Sequence, residues 1–177
     1  MAEALGPMIK EMLALLLHTP TDSLGPLKLD LENQSITVHC LRNLEEALPL
    51  LNGVKPPHLV FTEATLPDGT WADVVNLAVE ASKPVNVIVI ARLEDVGLYL
   101  ETITRGAFDF IVLPLTGHKL VHVVRCAMDN VISRRETQAR SRIAGPAARK
   151  QNSIGSLSVG PMSGAGGAEP YRIDRAL

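Results

Sequence analysis

VNVIVIA, residues 85–91, is an unbroken run rich in β-branched residues, with Pro84 just before it. A strand with one wet face alternates apolar and polar residues, whereas a strand covered on both faces does not. The run therefore reads as a central strand with helices packed on either side.

Working outward, HLVFTE (58–63) and SITVHC (35–40) precede it as further strands, and FDFIVL (108–113) follows, stopped by Pro114. Helical segments separate them. NLEEALPLLNG has Asn43 as a cap, Glu45 and Glu46 in its first turn, and Gly53 at its end. WADVVNLAVEAS sets Val74, Val75, Ala78 and Val79 on one face, and LEDVGLYLETITRG ends on Gly106. GHKLVHVVRCAMDNVISRR spaces Leu120, Val123, Val124, Ala127 and Val131 as a helix, with Arg134 and Arg135 at its C-terminal end. MLALLL has no β-branched residue and suits a helix by propensity. Pro20 closes it, however, and the Leu24, Leu27, Leu31 spacing after it is helical. The expectation is a strand at 12–17 and a helix at 23–33, with Ser23 as cap and Pro26 in the first turn.

The order is strand–helix five times, which implies a doubly wound parallel sheet with helices on both faces. Functional groups in such sheets gather at the C-terminal strand edges. Here those edges are His18 and Thr19, Cys40, Glu63, Ala91 and Leu113.

Of 177 residues, 46% are apolar and 3% aromatic, so the core is aliphatic and lacks the stacking platforms of a single-stranded nucleic-acid binder. From Arg134 onward the chain carries eight basic and three acidic side chains, a net +5, so the remainder holds −7 of the overall −2. Cys40 and Cys126 lack CxxC spacing and stand among apolar residues. They read as buried, reduced thiols of a cytoplasmic protein, with no metal or cofactor implied. The N-terminus has no signal-peptide pattern, and MLALLL is too short to span a membrane. The Gly-, Ser-, Ala- and Pro-rich stretch from Thr137 reads as disordered, either inert or a partner-binding tail using Arg149, Lys150 or Tyr171. The expected organisation is an N-terminal extension at 1–10, a folded domain at 11–134 and a basic tail at 135–177.

LVFTEATLPDG, VNVIVIA and RGAFDFIVLP, in that order, resemble three segments of the receiver domains of two-component response regulators, over about residues 11–134. The resemblance implies a CheY-like, flavodoxin-like (βα)5 sheet in strand order 2-1-3-4-5. It sets Glu63 at the phospho-acceptor position, His18 and Thr19 at the metal-binding acidic pair, Ala91 at the switch hydroxyl and Leu113 at the lysine. Phe110 keeps the switch aromatic, and the Leu66-Pro67-Asp68-Gly69 loop is intact. Neither His18 nor Thr19 is a carboxylate of the kind Mg²⁺ favours, and Asp22 is a poor substitute. On this reading Glu63 stands without polar partners. The implied protein is a stand-alone pseudo-receiver in phosphorelay-type signalling, working by protein–protein contact without Asp phosphorylation and without enzymatic activity. Its partner or self-association face would be the fourth helix, fifth strand and fifth helix, drawing on Leu98, Tyr99, Glu101, Thr102, Phe110, His118, Val121 and His122.

Two alternatives stand beside it. One is retained Mg²⁺-dependent phosphoryl acceptance at an acid such as Glu63; Glu63 as a crude phosphate mimic belongs instead to the pseudo-receiver reading. The other is a flavodoxin-like small-ligand module, although no GxGxxG follows the first strand. No helix-turn-helix pattern follows the fifth helix, and RRETQARSR reads as a solvated helix end rather than a nucleic-acid contact.

Overall fold

The computed structural model describes residues 11–19, 24–115 and 117–143. Five parallel strands form one sheet: β1 (Met12–Leu17), β2 (Ile36–Leu41), β3 (Leu59–Glu63), β4 (Asn86–Ala91) and β5 (Asp109–Val112). Their spatial order is β2-β1-β3-β4-β5, as the resemblance implies. The helices are α1 (Gly25–Asn33), α2 (Leu44–Leu51), α3 (Trp71–Glu80), α4 (Val96–Thr104) and α5 (Gly117–Ile143). Among the described residues no helix is long and apolar enough to cross a membrane.

The two-residue period of the central strands divides the core in two. Ala14, Leu16, Leu59, Phe61, Ile88 and Ile90 face the layer of α1 and α5, where they meet Leu27, Leu31, Leu120, Val124 and Val131. Leu15, Leu17, Val60, Val87 and Val89 face the other side, against Ala47 and Leu51 of α2 and Trp71, Val74 and Val75 of α3. β1 is a strand despite its leucines because both faces are covered and its backbone pairs with β2 and β3.

Several sequence expectations change. α1 begins at Gly25 with Leu24 in the cap position and no side-chain cap, while Ser23 lies outside the described residues. Ser35 is not in β2; it takes φ +61° to turn the chain out of α1. α2 ends at Leu51 with Asn52 in the cap position, and Gly53 follows the cap without a positive φ. Val79 is 79% exposed, because it lies about a quarter-turn from the centre of the arc formed by Trp71, Val74, Val75 and Ala78. Cys40 and Cys126 are both exposed. Cys40 lies on edge strand β2, and Cys126 is on the side of α5 away from Val124.

The largest change is in α5, which continues nine residues past the expected boundary at Arg134. No Gly or Pro interrupts 135–143; the first is Gly145. Nor is its basic end simply solvated. Arg134 donates to Asn86 Oδ1 at 2.8 Å, while Asn86 Nδ2 donates to Ala127 O at 2.8 Å. Arg135 donates from Nε to Pro84 O at 2.8 Å, and from Nη2 to the carbonyls of Pro56, at 3.1 Å, and Pro57. These bonds tie α5 to the loops entering β3 and β4. Residues 144–177, which hold the rest of the expected tail, lie outside the described residues.

Candidate functional site

Parallel register assembles a polar cluster at the C-terminal edge of the sheet. Leu17 of β1 pairs with Thr62 of β3, and Glu63 pairs with Ile90 of β4. The residues just beyond those strand ends therefore converge around Glu63. Its Oε2 accepts from the backbone N–H and the hydroxyl of Thr19, both at 2.8 Å. Its Oε1 accepts from Arg92 Nη2 at 3.0 Å. Burial acts to raise the Glu63 carboxyl, but the Thr19 donors and Arg92 outweigh it and hold the group below its ordinary value.

Of the residues singled out in the sequence, Thr19 and Glu63 thus meet directly. His18 Nδ1 lies 2.7 Å from Thr19 O, so its ring braces the backbone of the residue that grips Glu63. Ala91 ends β4 and accepts, through its carbonyl, the N–H of Leu113 at 2.9 Å. The Leu113–Pro114 peptide is cis. Leu113 lines an apolar cavity of about 320 Å³ with Leu27, Pro114, Leu115 and Leu120, and Asp30 and Arg92 contribute charge to its wall. Phe110 packs edge-on against Tyr99, with ring centroids 5.9 Å apart.

The expectation that Glu63 lacks polar partners is therefore wrong. Arg92 is the residue that sequence reading missed. It is the first charged side chain after VNVIVIA, one position past Ala91, and a cation leaving a strand beside an acid-bearing strand is the signal that could have found it.

Hydrogen bonds also fix the loop after β3. Asp68 accepts from the N–H groups of Leu44 at 2.9 Å and Glu45 at 3.0 Å, capping α2 from a distance alongside Asn43, which accepts from Glu46 N. The Leu44 N–H leads in keeping the Asp68 carboxyl below its usual range. A Cβ at Gly69 would press on the terminal methyl of the Leu44 side chain, which would have to shift to admit it. Thr70 and Asp73 form a capping box that starts α3.

No protein-family model matches the chain, and no curated protein matches it in sequence. Solved structures do. A two-component response regulator from Clostridium difficile superposes with TM-score 0.58 at 22% identity, covering 67% of this chain and 97% of that one. The signal receiver domain of an HD domain-containing protein from Pseudomonas fluorescens Pf-5 gives 0.65 at 22%, covering 75% and 98%. The beryllofluoride-activated NtrC4 receiver domain dimer gives 0.61 at 20%, covering 67% and 98%. The strand order and these superpositions together establish that the described chain has the receiver-domain fold.

Proposed function

We propose that the chain is a pseudo-receiver, which takes part in two-component-type signalling by contact and not by phosphoryl acceptance. The capture of both Glu63 carboxylate oxygens by Thr19 and Arg92 carries this reading. An acceptor carboxylate needs an oxygen free to approach phosphorus in line, and neutralising charge around the transferred group. On this reading Glu63 occupies the acceptor position, while His18, Thr19, Ala91 and Leu113 stand where the acidic pair, the hydroxyl and the lysine would be. Arg92 supplies internally the positive charge that metal and lysine supply in a working site. Incubation with acetyl phosphate and Mg²⁺ is expected to leave the intact protein mass unchanged, in the native chain and in Glu63→Asp alike. Stoichiometric, Glu63-dependent labelling would overturn the proposal.

The contact surface in this reading is the face of α4, β5 and α5, and it supports capture of a protein partner or self-association. Val96, Leu100 and Ile103 recur at helical spacing on α4 and are exposed by 72%, 58% and 40%, with Tyr99 beside them. The sequence expectation for this face included Thr102, which is fully buried and donates to Tyr99 O at 2.7 Å; Leu100 and Ile103 replace it. Leu100→Lys is expected to change unfolding free energy by less than about 0.5 kcal/mol while lowering partner capture or self-association, read by pull-down and light scattering. Unaltered association would remove this face from the proposal.

A further inference from the structure

Lys83, Arg134 and Gln138 line a cavity of about 230 Å³ beside the start of β4. It lies at the opposite end of that strand from Glu63, which pairs with Ile90. At about 3.3 Å per residue, Asn86 and Ile90 are about 13 Å apart along β4. Arg134 and Gln138 stand one turn apart on α5 and meet Lys83 and Pro84 across the cavity. Arg142, two turns beyond Arg134, donates to Ser82 O at 3.3 Å, so this face of α5 follows the segment entering β4.

The lining carries two cations and no Asp or Glu. Among the described residues neither Lys83 nor Arg134 forms an ion pair, and the Lys83 ammonium and the Gln138 amide make no hydrogen bond. The Arg134 guanidinium is already held in place. Its Nη1 donates to Asn86 Oδ1 at 2.8 Å, and the Asn86 amide, 3% exposed, is fixed in turn by Ala127 O at 2.8 Å and Asn130 Oδ1 at 3.1 Å. That bond uses one N–H of a fork that has five, and a planar fork binds oxyanions through paired hydrogen bonds. Fixing it in advance lowers the ordering cost of binding. Val75, Ala78 and Val79 supply an apolar wall, and Val79 is 79% exposed until something covers it.

An ammonium, a guanidinium and an amide around one space suit an anion with several oxygens, and the valines suit a carbon group bonded to it. We propose that this cavity binds a phosphomonoester, with Lys83, Arg134 and Gln138 donating to the phosphate oxygens and Val79 against the ester group. The proposal goes beyond the signalling reading and stands whether or not Glu63 accepts a phosphoryl group.

The test titrates the isotopically labelled, full-length chain with phenyl phosphate, inorganic phosphate, benzoate and chloride at one ionic strength, and follows the backbone amide resonances. The expected result is saturable shifts at Lys83, Gly106 and Gln138, with a dissociation constant in the millimolar range. Phenyl phosphate binds more tightly than inorganic phosphate, and benzoate and chloride do not saturate. Lys83→Ala weakens phenyl phosphate by about fivefold or more. Its urea midpoint stays native, because the side chain has no partner to lose. Lys83→Arg retains binding, and so does Arg140→Ala, which lies off the cavity. No saturable shift, shifts centred on Thr19 and Glu63, an equal response to benzoate or chloride, or an affinity that Lys83→Ala leaves unchanged would overturn the proposal.

Discussion

Arg135→Ala lowers the unfolding free energy by about 3 kcal/mol, read as a fall in urea midpoint at unchanged slope. The guanidinium donates to the carbonyls of Pro84, Pro56 and Pro57, and the two adjacent prolines are buried. Removing a donor shared by several buried acceptors costs more than the bonds contribute net, because each acceptor is left without its partner. The effect stops short of the sum because burial also disfavours the charged arginine, whose pKa is pushed down. Arg135→Lys restores less than half of the loss, since a point charge does not reproduce a planar fork reaching three carbonyls. Arg142→Ala, whose single bond to Ser82 O is 3.3 Å long and exposed, costs less than about 1 kcal/mol. A chain cut before Arg135 is accordingly expected to melt well below one cut after Ile143. Equal midpoints would show that this half of α5 does not secure the sheet.

The same arginine marks where sequence reading reached its limit. The strands were legible because runs such as VNVIVIA are covered on both faces, a condition that writes itself into composition. The order of the sheet followed from resemblance to receiver domains. The partners of Arg134 and Arg135 were not legible. A basic helix end looks alike whether it meets water or carbonyls, and Pro56, Pro57 and Pro84 are 79, 78 and 51 residues away in the chain. The cysteines failed for a different reason: apolar neighbours in sequence do not set which face of a helix or an edge strand a thiol occupies. At the site, Glu63 was found because it ends a strand, and Thr19 because it holds a position the resemblance named. Arg92 fell one residue beyond the named position Ala91, and only the register of β3 with β4 brings it to Glu63.

Glu63→Ala costs about 2–3 kcal/mol at neutral pH, mostly through the two Thr19 donors left without their charged acceptor. Arg92→Ala costs less than about 1 kcal/mol, because its side chain is 52% exposed and water screens the pair. The inequality separates the two halves of the clamp: Thr19 anchors the carboxylate, and Arg92 neutralises it. Acid then provides an independent check. Because the folded-state pKa of Glu63 is lowered, its contribution is complete above the unfolded value and is lost as pH falls through the folded one. Glu63→Gln, which keeps an acceptor but never titrates, is less stable than the native chain at neutral pH. The gap closes as the medium is acidified below the ordinary carboxylate range, so urea midpoints from about pH 7 to pH 3 converge. Parallel curves would mean that Glu63 contributes no more ionised than neutral. Convergence would mean that the Thr19 donors and Arg92 favour the charged form of Glu63 over the neutral one in the folded chain.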